Sequence, residues 1–416
     1  MFNKPLISEF FTTISFRQAI SSLSFLSFNL KNIRHGKSIK IFEYQLLSYL
    51  WSRKSKILSF YDWRSGIYNT LKLIWITKND EIIINWYTCS VVINAVIQSK
   101  WKIIYSDIEE KTLSLDYNSI KKNITNRTKA IIIQHTFWKQ ARDYNKILKL
   151  AKKNNILVIE DCAHSLWNKQ KIKWDFAIFS TWRDKVISSI TWWFLIINNK
   201  KYFKKIYLIS KKLKAPSIKL IIQNLSYNII WFISYKLYNI LKIWKIIIYL
   251  SRKLNLITEI LNKKDKNFES FNFNFSLSNS LASLANDELK KIDEYNNIRL
   301  KNSEFYINKI NNKKIKLIFN NLNMYNWFRY PILLKSEKIK NELYIYMKNN
   351  GVLLWNSWSW NNIIPLWTNL NKSKYIKWSC YIAENISSKI LTLPNHKLIN
   401  LKDLEKIVKL LNNFKK

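Results

Sequence analysis

Apolar residues in this chain come in short runs, and between residues 58 and 199 those runs are of two kinds. The first kind is short and rich in β-branched and aromatic side chains. Leu58 to Tyr61, Asp80 to Ile84, Lys102 to Tyr105, Ala130 to Gln134, Ile156 to Glu160, Phe176 to Ser180 and Phe194 to Ile197 therefore read as strands. The second kind spreads its apolar positions at helical spacing: the run up to Ile74, the segment opening at Cys89, Asp116 to Asn123, and Asp143 to Asn154. This alternation predicts an α/β fold with a mostly parallel sheet and helices on both faces. Upstream, Ile41 to Leu50 has helical spacing, so Trp51 falls where a helix-terminating glycine usually sits.

The pattern changes after residue 200. Tyr202 to Lys214 reads as a lysine-rich helix, and Ile218 to Leu261 is dominated by Ile, Leu, Tyr, Phe and Lys without strand-type turn signals. Its longest uncharged run, Leu220 to Tyr235, is shorter than the roughly 20 apolar residues that span a bilayer. Lys236, Lys242 and Lys245 recur through the apolar pattern. Three arrangements fit: amphipathic helices on an anionic membrane surface, helices covering a dimer, or a helical subdomain packed on its own protein. Ser276 to Phe305 returns to a strong helical pattern. Beyond residue 316 strand and helix alternate again, with a strand at Arg329 to Leu334, helices at Glu337 to Asn350 and Leu401 to Phe414, and a loop from Trp355 to Pro365.

Charge modifies this picture less than its size suggests. Lys and Arg number 69 against 27 Asp and Glu, a net charge of +42, which ordinarily points to nucleic acid or an anionic membrane. The lysines are scattered among Ile and Asn rather than gathered into a stripe. Such scatter reads as AT-rich coding, and nucleic acid is not the expected partner. Three widely separated cysteines, Cys89, Cys162 and Cys380, form no disulfide framework or zinc pattern and fit a reducing cytoplasm. No basic, apolar and small-residue leader layout opens the chain.

Glycine is the anomaly. The chain has 3 Gly and 19 Trp, where average usage gives roughly 29 glycines in a protein of this length. Tryptophan also sits where turn residues belong, at Trp63, Trp75, Trp101, Trp138 and Trp174. Many of these tryptophans are expected to be glycines in the cellular protein, through a reassigned UGA codon.

Candidate chemistry concentrates in Ile156 to Asn199. One predicted strand ends at Asp161, the next at Ser180, and Lys185 follows five residues later. Open α/β sheets bind ligands at the carboxyl ends of their strands. An Asp, a His, a Ser and a Lys collected there suit pyridoxal 5′-phosphate: the lysine amine reacts with the aldehyde, a carboxylate holds the pyridinium nitrogen, and hydroxyls and amides hold the phosphate.

Glu160-Asp161-Cys162-Ala163-His164 and Phe179-Ser180 through Lys185 resemble motifs of the DegT/StrS-type sugar aminotransferases, which are fold-type-I pyridoxal-phosphate enzymes. The resemblance covers nearly everything except the N-terminal arm and the insertion. It implies a seven-stranded-type large-domain sheet and a small C-terminal α+β domain. The domains then run 1–57 (arm and helix), 58–200 (cofactor domain), 201–270 (helical insertion) and 271–416 (linking helix and small domain). It implies Lys185 as the catalytic lysine, Asp161 on the ring nitrogen and His164 beside the ring oxygen. Ser180, with Ser65 and Gly66 in a turn like the family's G-R-S-A, would lie on the phosphate. Cys89 stands where the family places a residue against the ring. Asn274 matches an Asn that reaches the phosphate of the partner subunit, whereas Ser276 stands where that segment has Arg. Trp192-Trp193 stands where the family has Gly-Gly. His135 either faces the cleft or is a hydrogen-bonded structural residue.

The function implied is transfer of an amino group from a donor such as glutamate to a keto sugar, nucleotide-linked, for surface polysaccharide, by a cytoplasmic homodimer. Two alternatives remain: a sugar dehydratase of the same family, in which His usually replaces the lysine, and a non-catalytic basic membrane- or nucleic-acid-binding relative. Sugar contacts are expected from loops that include Asn356 to Asn362.

Overall fold

Seven strands hydrogen-bond in the spatial order Lys56–Phe60, Trp193–Ile197, Phe176–Ser180, Leu157–Asp161, Thr128–Gln134, Glu81–Asn85, Lys102–Ser106. Trp193–Ile197 runs antiparallel to both its neighbours, and the other four pairings are parallel. The computed structural model describes residues 7–8, 15–28, 30–61, 63–74, 77, 79–166, 174–238, 240–241, 243–258, 267–269, 274–318, 328–354, 363–364 and 369–415.

Both faces of this sheet are apolar because both are covered. Ile82, Ile84, Ile132 and Ile159 point to one face, in one core cluster with Ile67 and Leu71 of helix Trp63–Leu73 and Val92, Ile93 and Val96 of helix Ser90–Gln98. The intervening Ile83, Ile131, Ile133 and Val158 point to the other, against helix Tyr144–Lys153. The two-residue side-chain period of a strand thus assigns Asp161 to the face of Ile159 and Glu160 to the face of Val158.

The C-terminal part forms an antiparallel sheet, Ile315–Leu317, Tyr330–Leu334 and Ile390–Leu393. Its closing helix Leu401–Asn413 starts in a capping box between Asn400 and Asp403, which satisfies two helix-end N–H groups at once. The helix expected over Ser276 to Phe305 is broken into Asn279–Leu289 and Ile292–Lys309. Lys291 N–H bonds Glu288 O at 3.0 Å instead of continuing the ladder.

The insertion folds as helices Ile218–Lys236 and Ile243–Lys253. Ile221, Leu225 and Tyr227 face the second core cluster with Leu277 and Leu281. Among the described residues, no helix is long and apolar enough to cross a membrane.

Candidate active site

The site forms at the carboxyl edge of the sheet because the chain leaves consecutive strands there with polar residues. Across that edge Gln134, Asp161 and Ile178 share one row of the ladder, and Ser180, Trp193 and Phe60 another. Asp161 is 3% exposed, and one carboxylate oxygen accepts from Ala163 N–H at 3.0 Å. Burial pushes its carboxyl above the ordinary aspartate value, while the Ala163 N–H and the nearby Lys185 and His135 pull it down. A buried carboxylate in this state gains most from a cationic partner.

After Ser180 the chain makes a tight turn. Ser180 Oγ accepts from Trp182 N–H at 3.1 Å, and Lys185 N–H returns to Trp182 O at 2.9 Å. The turn aims Lys185 inward: its side chain is 12% exposed, with Nζ 3.9 Å from Asp184 Oδ1 and 5.5 Å from the centre of the Phe328 ring. Burial pushes the amine below the ordinary lysine value. Asp184, Cys89 and Asp161 oppose that push, and Arg329 adds to it. The net direction favours the neutral amine that a nucleophile or proton acceptor needs.

His164 and Cys89 complete the wall. His164 Nδ1 accepts from Phe137 N–H at 3.3 Å, and its ring stacks on Phe328 with centres 4.8 Å apart. Burial holds it neutral, well below the usual imidazole value, and Lys185 and Arg329 push the same way. Cys89 caps helix Ser90–Gln98. Burial raises its thiol to about 12, and its further neighbours in charge are Lys185, Asp161 and Asp184. Cys89 is thus the packed helix-start residue.

Ser65 and Gly66 lie in the first turn of helix Trp63–Leu73, with Ser65 fully buried. A Cβ on Gly66 would meet Ile178 and Trp193 at 3.7 and 3.8 Å, so this helix end abuts the strand that ends at Ser180 and its neighbour Trp193–Ile197. Asn274 is exposed on the adjoining segment, its carbonyl accepting from Lys214 N–H at 2.8 Å, next to Phe275, whose carbonyl accepts from Tyr61 N–H at 3.0 Å.

His135 is turned away from the pocket. It pairs with Glu160 (Nε2 to Oε2, 2.8 Å) on the opposite face of the sheet, both side chains buried. Trp192 and Trp193 are buried, Trp192 packing on Phe42 at 4.2 Å. The loop Asn356 to Asn362 lies outside the described residues.

Four residues around Lys185 and His164 were not read from the sequence. Arg329, 1% exposed, donates to Asp184. Its neighbour Phe328 stacks on His164, and Tyr87 lies within the field of Arg329. Asp184 was legible only as a residue adjoining Lys185, and Arg329 and Phe328 carry no local motif.

An open, mostly parallel sheet with a buried aspartate and a largely buried lysine following the carboxyl ends of two adjacent strands belongs to the fold-type-I aminotransferase class. The solved structures agree in fold. The aminotransferase TlmJ from Streptoalloteichus hindustanus superposes with a TM-score of 0.73 at 14% identity, covering 99% of this chain and 98% of its own. PseC of Helicobacter pylori, an aminotransferase involved in pseudoaminic acid biosynthesis, gives 0.69 at 18% identity, covering 99% and 97%. The sequence profile of the DegT/DnrJ/EryC1/StrS aminotransferase family matches residues 27–209 and 252–412, and the chain belongs to that family. GDP-perosamine synthase of Escherichia coli O157:H7 is 29% identical over 145 residues, 34% of this chain and 40% of that protein. Spore coat polysaccharide biosynthesis protein SpsC of Bacillus subtilis is 26% identical over 155 residues, 37% and 36%. The matched stretch thus spans about two-fifths of the length of these curated relatives.

Proposed function

We propose that this chain is a pyridoxal-phosphate-dependent aminotransferase that moves an amino group from an amino-acid donor, such as glutamate, to a keto sugar. The sugar is nucleotide-linked and destined for surface polysaccharide, a reading supported by what the relatives are named for. The observation that carries it is the placement of a buried Asp161 and a largely buried Lys185 after the carboxyl ends of two adjacent parallel strands. The residues fit the cofactor, which when bound supplies an electron sink next to the carbon that gains or loses the amino group. Asp161 would hold the ring nitrogen in its protonated form, supplying the charge partner that its buried carboxylate favours. Lys185 would carry the cofactor and then take and return the proton at Nζ. Ser65 and Gly66 at the helix end, together with Ser180, would hold the phosphate, and His164 and Cys89 would border the ring. Asn274, which is exposed, would reach the phosphate of a partner subunit in a homodimer. Incubation with pyridoxal phosphate, glutamate and a panel of nucleotide-linked keto sugars tests the activity; no amino sugar formed from any of them would count against it.

The reading places the enzyme in the cytoplasm with its insertion at the membrane surface. Residues 201–258 contain twelve Lys and Arg and no Asp or Glu. Ile246, Tyr249, Leu250 and Leu254 are exposed beside exposed Lys245, Arg252 and Lys253. An apolar and cationic helix face of this kind suits an anionic bilayer surface.

The reading also includes glycine at many tryptophan positions. Trp51, Trp138 and Trp378 have φ of 52°, 91° and 68°, the left-handed region that glycine occupies at little cost. Trp51 follows helix Ser38–Tyr49 and its C-cap Leu50. Its N–H bonds Ser48 O at 3.1 Å and Ser52 N–H bonds Leu47 O at 2.8 Å, the paired pattern of a helix end that glycine normally completes. The buried indole N–H groups of Trp86, Trp101 and Trp192 have no hydrogen-bond partner among the described residues, an uncommon state for native tryptophan. Intact mass of the protein from its own cells decides the matter, because each replacement lowers it by a fixed amount.

A further inference from the structure

We propose that the stretch 210–251, which the family profile passes over, braces the turn that carries Lys185. This rests on reading Lys185 as the cofactor lysine. The contact runs through Arg183, two residues before it. Arg183 is 5% exposed, and its guanidinium carbon lies 3.8 Å from the centre of the Tyr227 ring on helix Ile218–Lys236. Its two terminal nitrogens donate to Thr258 O at 3.3 and 3.2 Å. One helical turn before Tyr227, Asn224 accepts from Thr258 Oγ1 at 3.2 Å and donates to Tyr61 Oη. Tyr61 precedes the Ser65–Gly66 turn, and its carbonyl accepts from Thr191 Oγ1 at 2.9 Å. One helix face therefore holds both the lysine turn and the chain entering the phosphate turn.

The other anchors of the lysine turn come from elsewhere. Arg329 holds Asp184, Arg299 donates to Val186 O at 2.9 Å, and Gln18 donates to Ser188 O at 2.7 Å. Arg183 differs from the backbone anchors at Val186 and Ser188 in that the anchored group is itself a buried charge. A guanidinium out of water is tolerated only while a ring face and acceptors satisfy it. Without Tyr227 the least costly course is for Arg183 to swing outward, and residues 182–185 move with it. Tyr227 is therefore a positioning residue for Lys185, acting through Arg183 from a part of the chain outside the family pattern.

The experiment compares Tyr227→Leu, Tyr227→Phe and Arg183→Met with the parent chain. Hydrogen exchange of peptides covering residues 181–192, measured on cofactor-free protein, reads the turn itself. Exchange should rise about tenfold in Tyr227→Leu and Arg183→Met, the scale of a cation–π contact, and clearly less in Tyr227→Phe, which keeps the ring and loses only the hydroxyl that bonds Arg183. With pyridoxal phosphate added, the pH midpoint of the visible band should move more in the first two variants than in the third. Parent-like exchange in both Tyr227→Leu and Arg183→Met would overturn the proposal. So would equal loss in Tyr227→Phe, because the ring face would then not be the active element. If Tyr227→Leu does not fold, Arg183→Met against Tyr227→Phe decides alone. A parent protein that shows no visible band would sink the aminotransferase reading and leave the exchange result to judge the brace.

Discussion

Arg329 and Asp184 form an ion pair beside the lysine: the guanidinium donates to one carboxylate oxygen, and the other lies 3.9 Å from Lys185 Nζ. The two charges push the amine in opposite directions, Asp184 upward and Arg329 downward. Asp184→Asn should therefore lower the pH at which Lys185 becomes reactive, and Arg329→Met should raise it. The rate of pyridoxal phosphate attachment as a function of pH checks both, and shifts in the same direction would contradict the arrangement.

Trp51 is 65% exposed and has φ of 52°, so it has little packing to lose and strain to relieve. Trp51→Gly should raise stability by about 1 kcal/mol, read as a higher urea midpoint with unchanged slope. A loss of stability would mean that the indole packs usefully there.

His396 is buried, with Nε2 3.0 Å from Ser8 O. Burial pushes its imidazole down to about 3; the Ser8 carbonyl opposes, and Arg299 and Lys397 add to the push. In the unfolded chain the ring takes a proton below about pH 6.5, whereas the folded chain resists until about 3. The stability this group contributes is thus complete above pH 6.5 and is lost as pH falls towards 3, at up to about 1.4 kcal/mol per pH unit. Urea midpoints measured from pH 7 to pH 4 should fall less steeply in His396→Gln than in the parent, with His164 contributing in the same sense in both. Equal slopes would contradict the assignment.

The insertion should bind vesicles containing phosphatidylglycerol and not neutral phosphatidylcholine, with binding weakened by salt. Replacing Ile246, Tyr249, Leu250 and Leu254 by Ser should reduce sedimentation with anionic vesicles by about tenfold or more. Binding unaffected by these changes would reflect the net charge of +42 alone, and a changed oligomeric state would assign this face to a second copy.

Much of the seven-stranded sheet was legible because its signals are local. A buried strand is a short apolar run; Asp161 and Ser180 end such runs and Lys185 follows Ser180 by five residues, so position along the chain places them near the sheet edge. Residues that reach the pocket from far away left no such trace. Arg329 comes from 144 positions beyond Lys185, and only tertiary packing shows that it pairs with Asp184. His135 illustrates a different difficulty. It follows Gln134 at the strand end, and a one-residue difference in alternation sends it to the face of Glu160 rather than that of Asp161. The break between Leu289 and Ile292 was hidden for want of glycine or proline, since Lys290 and Lys291 are ordinary helix residues.

The central claim is that Lys185 carries the cofactor. Pyridoxal phosphate added to the purified protein, followed by an absorbance scan, borohydride reduction and peptide mass mapping, tests it most directly. The account predicts a visible band and a reduced adduct on the peptide containing Lys185, both absent from Lys185→Ala. A reducible band that survives in Lys185→Ala, or an adduct found on a different lysine, would contradict it.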